Sequence, residues 1–280
     1  MSGRAVILGG GGVTGIAWQT GILRGLRDEQ IDLANADAII GTSAGAFAGT
    51  YLACGVVTEY FDRQFTGDVV EIAARLSPES IEGFRKAIAE GNGHPAATGR
   101  ALGRMAAAAT TVSRQERGAV IASRLPSRGW PEAPLKITAI DAETGMLRLF
   151  GQDSGVSLAT AAEASGAVPG LWPVVEALDR RWIDGGSCSA ANAWLGATYD
   201  RVVVIAPATE GVPGQRGTLD EVADLKAAGV DVVLIHPDER ARAAIGANAF
   251  DPARRGPAAE SGRAQGREMA AEVARVWGER

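Results

Sequence analysis

Apolar residues along this chain gather in short runs, separated by glycine-rich breaks and by stretches of helical spacing. Arg4 to Leu8 reads as a buried strand, and Gly9-Gly10-Gly11-Gly12-Val13-Thr14-Gly15 follows it at once. Ile16, Ile22, Leu23 and Leu26 then mark the apolar face of a helix that ends on polar Arg27-Asp28-Glu29. A second apolar run, Ala38-Ile39-Ile40, ends in Gly41-Thr42-Ser43-Ala44-Gly45 and continues into small residues suited to a helix. From Thr58 to about Leu125 no strand pattern occurs. Tyr60, Phe61 and Phe65 come first, then a helical pattern over Val69 to Leu76, then a helix opened by Ser77 and Pro78 that carries Ile81, Phe84 and Ile88. Gly91-Asn92-Gly93-His94-Pro95 breaks this pattern before an alanine-rich helix predicted over Thr98 to Leu125. The stretch from about residue 58 to 130 therefore reads as a helical cap inserted between sheet elements of a single domain spanning 1–280.

Strand patterns return at Leu135 to Ile140, with Asp141-Ala142-Glu143-Thr144-Gly145 as a turn and Met146 to Phe150 as the antiparallel partner. A helix starts near Ser157. The small residues and prolines of Ala164-Ser165-Gly166-Ala167-Val168-Pro169-Gly170-Leu171-Trp172-Pro173 predict irregular backbone beside a cleft, and Arg180 to Asp184 reads as a strand ending in Gly185-Gly186. A short helix over Asn192 to Ala197, a buried strand over Arg201 to Ala206 and a loop over Val212 to Arg216 follow. Then come a helix from Thr218 to Ala228, a buried strand over Val230 to Ile235, and helices near Asp238 to Gly246 and Pro257 to Trp277. Strands alternating with helices define an α/β class with a mainly parallel sheet.

The 280 residues, 46% of them apolar, can bury a full core. A formal net charge of −5 and a pI near 5.3 argue against nucleic acid as a partner and offer no basic patch to anionic lipid, so any membrane or micelle contact has to be transient and largely apolar. The run Ala5 to Leu8 is too short for a secretory signal, and no stretch approaches the roughly 18 apolar residues of a membrane span. The expectation is a cytoplasmic protein. Cys54 and Cys188 lack metal-ligand spacing and are expected to be reduced and buried.

Gly41-Thr42-Ser43-Ala44-Gly45 is Gly-x-Ser-x-Gly between a strand and a helix, the pattern of a turn that holds up one nucleophilic serine, with Gly41 and Gly45 supplying room. Taken alone it is also an ordinary strand-to-helix turn. Gly10, Gly12 and Gly15 satisfy the dinucleotide-binding spacing, with Asp32 or Asp37 as the ribose acid, whereas Ile16 stands where a P-loop needs lysine. The same loop suits an oxyanion hole, for which Gly11 and Gly12 are the candidate donors. Asp184 is an acid between a strand and two glycines, which plain turn chemistry also explains. Asp141 and Glu143 are better read as turn residues, and His94 as a solvated loop residue. Ser43, Asp184 and His236 stand in the order of an α/β-hydrolase triad, although His236-Pro237-Asp238 also works as a strand-ending turn.

Taken together, Gly10-Gly11-Gly12-x-x-Gly15, Gly41-Thr42-Ser43-Ala44-Gly45, Ala164 to Pro169 and Asp184-Gly185-Gly186 resemble, in that order, a patatin-like phospholipase. The resemblance implies a three-layer α/β/α sandwich and hydrolysis of lipid acyl esters without metal or organic cofactor. It implies Ser43 as nucleophile, Asp184 as base and Gly10, Gly11 and Gly12 as the oxyanion loop, with a lipid or acyl ester as substrate. Two positions depart from the family pattern. Thr14 stands where lysine or arginine is common, and Ser187-Cys188-Ser189-Ala190-Ala191-Asn192-Ala193 replaces an Asn-rich run with proline.

Overall fold

The computed structural model describes residues 3–66, 70–126, 129–211 and 215–278. Its strands are β1 (Arg4–Leu8), β2 (Ala38–Gly41), β3 (Leu135–Asp141), β4 (Leu147–Phe150), β5 (Val175–Ala177), β6 (Arg180–Asp184), β7 (Arg201–Ile205) and β8 (Asp231–Ile235). They form one sheet in the order β5-β6-β3-β2-β1-β7-β8, with β4 also on β3. The pairs β3/β2, β2/β1, β1/β7 and β7/β8 are parallel, and β4, β5 and β6 join antiparallel.

Alternation along the strands gives the sheet two apolar faces. Val6, Leu8, Ile39, Ile137, Val203 and Val233 share one core with α1 (Gly12–Asp28), α2 (Ala44–Ala53), α3 (Val57–Asp62), α6 (Arg114–Arg124), α7 (Leu158–Ser165), α9 (Glu239–Ile245), α10 (Arg255–Glu268) and α11 (Ala270–Trp277). Ala5, Ile7, Ile40, Val202 and Val204 face α8 (Thr218–Ala227) on the other side. Near Ile140 and Ile183 that second face is covered by α4 (Pro78–Gly91) and α5 (Pro95–Ala108). Helix, sheet and helix thus make the three layers of an α/β/α sandwich.

Against α1, which carries the glycine loop at its start, α10 packs closely. A Cβ on Gly262 or Gly21 would overlap the backbone of the facing helix, and α1 ends on Asp28, held by Arg24 (2.9 Å), Arg263 (2.7 Å) and Arg267 (2.7 Å).

Several predicted elements are redrawn. The helix expected over Thr98 to Leu125 is two, because Ser113 and Glu116 form a reciprocal capping box that starts α6 afresh. Val70 to Leu76 is irregular rather than helical, and Val69 lies outside the described residues. The helix expected over Pro257 to Trp277 is broken at Met269 into α10 and α11, and the one near Asn192 is a 3-10 turn over Ala193–Thr198. The short strand β5 carries no sequence signal beyond Val175. Val212 to Gly214 of the expected loop lie outside the described residues. Cys54 and Cys188 are half-buried rather than buried.

Candidate active site

At the carboxyl end of β2 the chain turns sharply into α2 through Ser43, whose φ of 52° and ψ of −113° are unusual for a residue with a side chain. A Cβ on Gly45 would overlap the Leu8 carbonyl, and one on Gly41 would lie 2.5 Å from the Gly45 carbonyl oxygen, so both positions exclude any larger residue. The Ser43 amide donates to Ser165 Oγ at 2.8 Å, tying the turn to the end of α7. Ser43 sits at the start of α2, where the helix dipole favours negative charge, and is 8% exposed.

Asp184 reaches this serine through strand pairing. Gly41 pairs with Ile137, Asp184 with Ala139, and β4 pairs with both Ile137 and Ala139. A residue has only two edges, so β4 takes one edge of β3 while β2 and β6 share the other. The carboxyl ends of β2 and β6 therefore meet on either side of Thr138. Thr138 Oγ1 donates to Thr42 Oγ1 at 2.9 Å, and Asn192 Nδ2 bonds both Thr42 Oγ1 (3.1 Å) and the Gly185 carbonyl (3.0 Å). This buried polar knot fixes the two strand ends against each other. The Asp184 carboxylate accepts a hydrogen bond from the Gly186 amide at 2.6 Å, and the Ser43 hydroxyl lies near enough to favour its ionised form. Burial pushes the Asp184 carboxyl up to about 6, against the lowering effect of those two donors. It is thus poised to exchange a proton near neutral pH.

The glycine loop lies at the end of β1, next to β2. The Gly10 amide donates to the Ala190 carbonyl at 2.7 Å and so is engaged within the protein, and a Cβ there would come 3.3 Å from that same carbonyl oxygen. Gly15 donates to the Gly11 carbonyl and Thr14 to the Ala249 carbonyl. Among the described residues, the amides of Gly11 and Gly12 donate to no protein group, which leaves them available to an oxyanion. Gly12 has φ of 61° and a Cβ on it would lie 2.5 Å from the Ala249 carbonyl oxygen.

The space beside Ser43 is about 20 Å³, room for a water and no more. Its walls include Val13, Phe47, Trp172 and three charged side chains, Glu71, Arg117 and Arg124. Arg117 and Arg124 lie two turns apart on one face of α6. Glu71 pairs with Arg117 at 3.1 Å and with Arg124, and its side chain is 4% exposed. Arg117 also stacks on Trp172, 3.8 Å from the ring centre. Burial pushes both guanidiniums down to about 10, so they stay charged at neutral pH. Sequence reasoning assigned no role to these three residues, nor to Ser165, Thr138 or Asn192. An isolated buried Glu in a cap segment and two arginines on a helix look like solvated charges until the fold brings them together.

Other candidates sit elsewhere. His236 is exposed after β8, at the edge of the sheet, where its carbonyl accepts from Gln265 Nε2 at 2.6 Å. Asp37 accepts the Arg4 amide at the amino end of β1, opposite the glycine loop, and Asp32 closes its own turn on Ala34. A ribose acid would have to lie at the carboxyl end instead. Asp141 accepts from Glu143 and Thr144 within its turn, and Glu143 pairs with Arg181 at 3.2 Å.

Parallel strands that present a serine elbow, a glycine loop and a buried carboxyl at their carboxyl ends define an α/β protein of the hydrolase kind, without a histidine in contact with the serine among the described residues. The chain belongs to the patatin-like phospholipase family, whose model matches residues 6–195. Among solved structures, it resembles the type III effector protein ExoU, at 16% identity and a TM-score of 0.44 over 97% of this chain and 53% of that one. VipD from Legionella pneumophila is similar at 12% identity and a TM-score of 0.47, over 98% of this chain and 67% of that one. The chain spans about half the length of ExoU. No curated protein matches it.

Proposed function

We propose that this protein hydrolyses carboxylic esters of lipids, in the manner of a phospholipase A or lysophospholipase, through Ser43 and Asp184. As Ser43 Oγ attacks the ester carbonyl, its proton passes to the Asp184 carboxylate. The carbonyl electron pair moves onto oxygen, which lies against the Gly11 and Gly12 amides. Donors so placed are worth roughly 3 to 4 kcal/mol each in comparable sites. Collapse expels the alcohol, which takes the proton from Asp184 and leaves an acyl-serine. Water, deprotonated by the same carboxylate, then releases the fatty acid and restores Ser43.

The observation that carries this reading is the meeting of the β2 and β6 ends on either side of Thr138, which brings the elbow residue Ser43 and the buried Asp184 together. Family membership supports a lipid ester as substrate. We further propose that the segment from about 58 to 130 acts as a cap over the site and meets lipid aggregates transiently, since Phe65, Val70 and Ile81 are exposed on it. No helix among the described residues is long and apolar enough to cross a membrane; a cytoplasmic location is part of the same proposal.

The test is hydrolysis of a series of acyl esters and monoacyl and diacyl phospholipids by the wild type and three variants. Ser43→Ala and Asp184→Asn are each expected to lower kcat by a factor of about 10³ or more, while His236→Asn retains turnover. Near-complete loss of turnover in a folded His236→Asn protein would overturn the dyad in favour of a triad.

A further inference from the structure

The space beside Ser43, about 20 Å³, is too small for an acyl ester, and a carboxylate held between two arginines forms part of its wall. Glu71 comes from the irregular stretch Val70 to Ser77, anchored to the neighbouring loop by Asn248 Nδ2 on the Ala74 carbonyl at 2.9 Å. It is not part of α6. Arg117 and Arg124, by contrast, are built into that helix and held from behind. Arg117 is stacked on Trp172 and close enough to Glu163, the partner of Arg114 at 3.6 Å, to interact with it; the Arg124 carbonyl accepts from Tyr51 Oη at 3.0 Å. The pocket therefore holds two fixed cations and one anion on a less regular segment.

We propose that Arg117 and Arg124 form a subsite for an anionic oxyacid group of the substrate, a phosphate or a carboxylate, and that Glu71 is its internal occupant, displaced when substrate enters. This rests on Ser43 being the nucleophile. Two guanidiniums that converge on one carboxylate, with Arg117 bonding Glu71 Oε1 and Arg124 beside its other oxygen, can grip one oxyacid group in its place. Removing Glu71 without a replacement anion would leave Arg124 without a carboxylate and Arg117 with Glu163 alone, so a neutral ester displaces it poorly whereas an anionic one takes over its pairing. The subsite thus selects charged lipids and keeps the site closed without them.

The experiment compares esters of one acyl chain that carry no charge, a phosphate or a carboxylate. The wild type should favour the charged esters by about tenfold or more in kcat/KM, mainly through KM. In Arg117→Gln and Arg124→Gln that preference should collapse, with partial recovery in Arg124→Lys, while Glu71→Gln should lower KM for the charged esters severalfold. Preference for the phosphate ester alone would identify a lipid headgroup as the ligand, and equal preference for both would identify any oxyacid. Should the arginine variants not fold, inhibition of the wild type by hexyl phosphate against hexanol decides, with stronger inhibition by the phosphate expected. Equal kcat/KM for neutral and charged esters, or equal inhibition by the two hexyl compounds, would overturn the subsite. Calorimetric titration of Ser43→Ala protein with hexyl phosphate needs no turnover, so undiminished hydrolysis by Ser43→Ala together with saturable binding would refute the nucleophile and leave the subsite standing.

Discussion

The Asp184 carboxyl is buried, which disfavours its ionised form, while the nearby Ser43 hydroxyl and the Gly186 amide favour it. In the folded protein it titrates near 6, against an ordinary value of 3.8. Between those two values the folded chain holds a proton that the unfolded chain has lost, so this group costs stability as pH rises from about 4 to above 6. Asp184→Asn should therefore stabilise the fold by about 1 to 3 kcal/mol at pH 7.5, with the gain vanishing at pH 4. Chemical denaturation of both proteins at the two pH values measures this. A gain independent of pH would contradict it. At this scale Ser43 and Asp184 were legible in the chain, since each stands in a short glycine-flanked motif whose steric reason is local. Glu71, Arg117 and Arg124 were not, because their shared role depends on a helix and an irregular segment meeting across the fold.

Strand pairing explains why two motifs 141 residues apart in sequence come together (184 − 43). β2 and β6 divide one edge of β3 between them, and the gap is bridged by Thr138. Gly185 has to be glycine here, because a Cβ would overlap Thr138 Oγ1 and lie 2.6 Å from its carbonyl oxygen. Gly185→Ala should force the strand ends apart, costing about 2 to 4 kcal/mol of stability and most of the turnover. Thermal unfolding and ester hydrolysis test both losses. An unchanged melting temperature would count against the shared-edge geometry. The order of elements β1, α1, β2 and α2 was readable from apolar runs and glycines. The division of one edge between two strands was not, because period-two patterning says which face a residue takes and nothing about its neighbour. The break between α5 and α6 was missed for a related reason: alanine-rich sequence suits a helix throughout, and the Ser113 capping box competes with that run only through side-chain bonds.

For the molecule as a whole, the three layers bring the carboxyl ends of β1, β2 and β6 to one crevice, which the segment before α4, together with α6, closes down to the volume of a water. The lining of the space beside Ser43 carries two arginines and one glutamate. The sequence conveyed the fold class and singled out Ser43 and Asp184 as candidates, while the arrangement of Glu71, Arg117 and Arg124 beside Ser43 came only with the tertiary structure. The central claim, that Asp184 activates Ser43, is tested most directly by covalent labelling with a small fluorophosphonate, read by intact mass and peptide mapping across pH. The account predicts one adduct, on Ser43, formed at a rate that rises through about pH 6 and falls at least about a hundredfold in Asp184→Asn. An adduct on another residue, or a labelling rate in Asp184→Asn equal to that of the wild type, would contradict it.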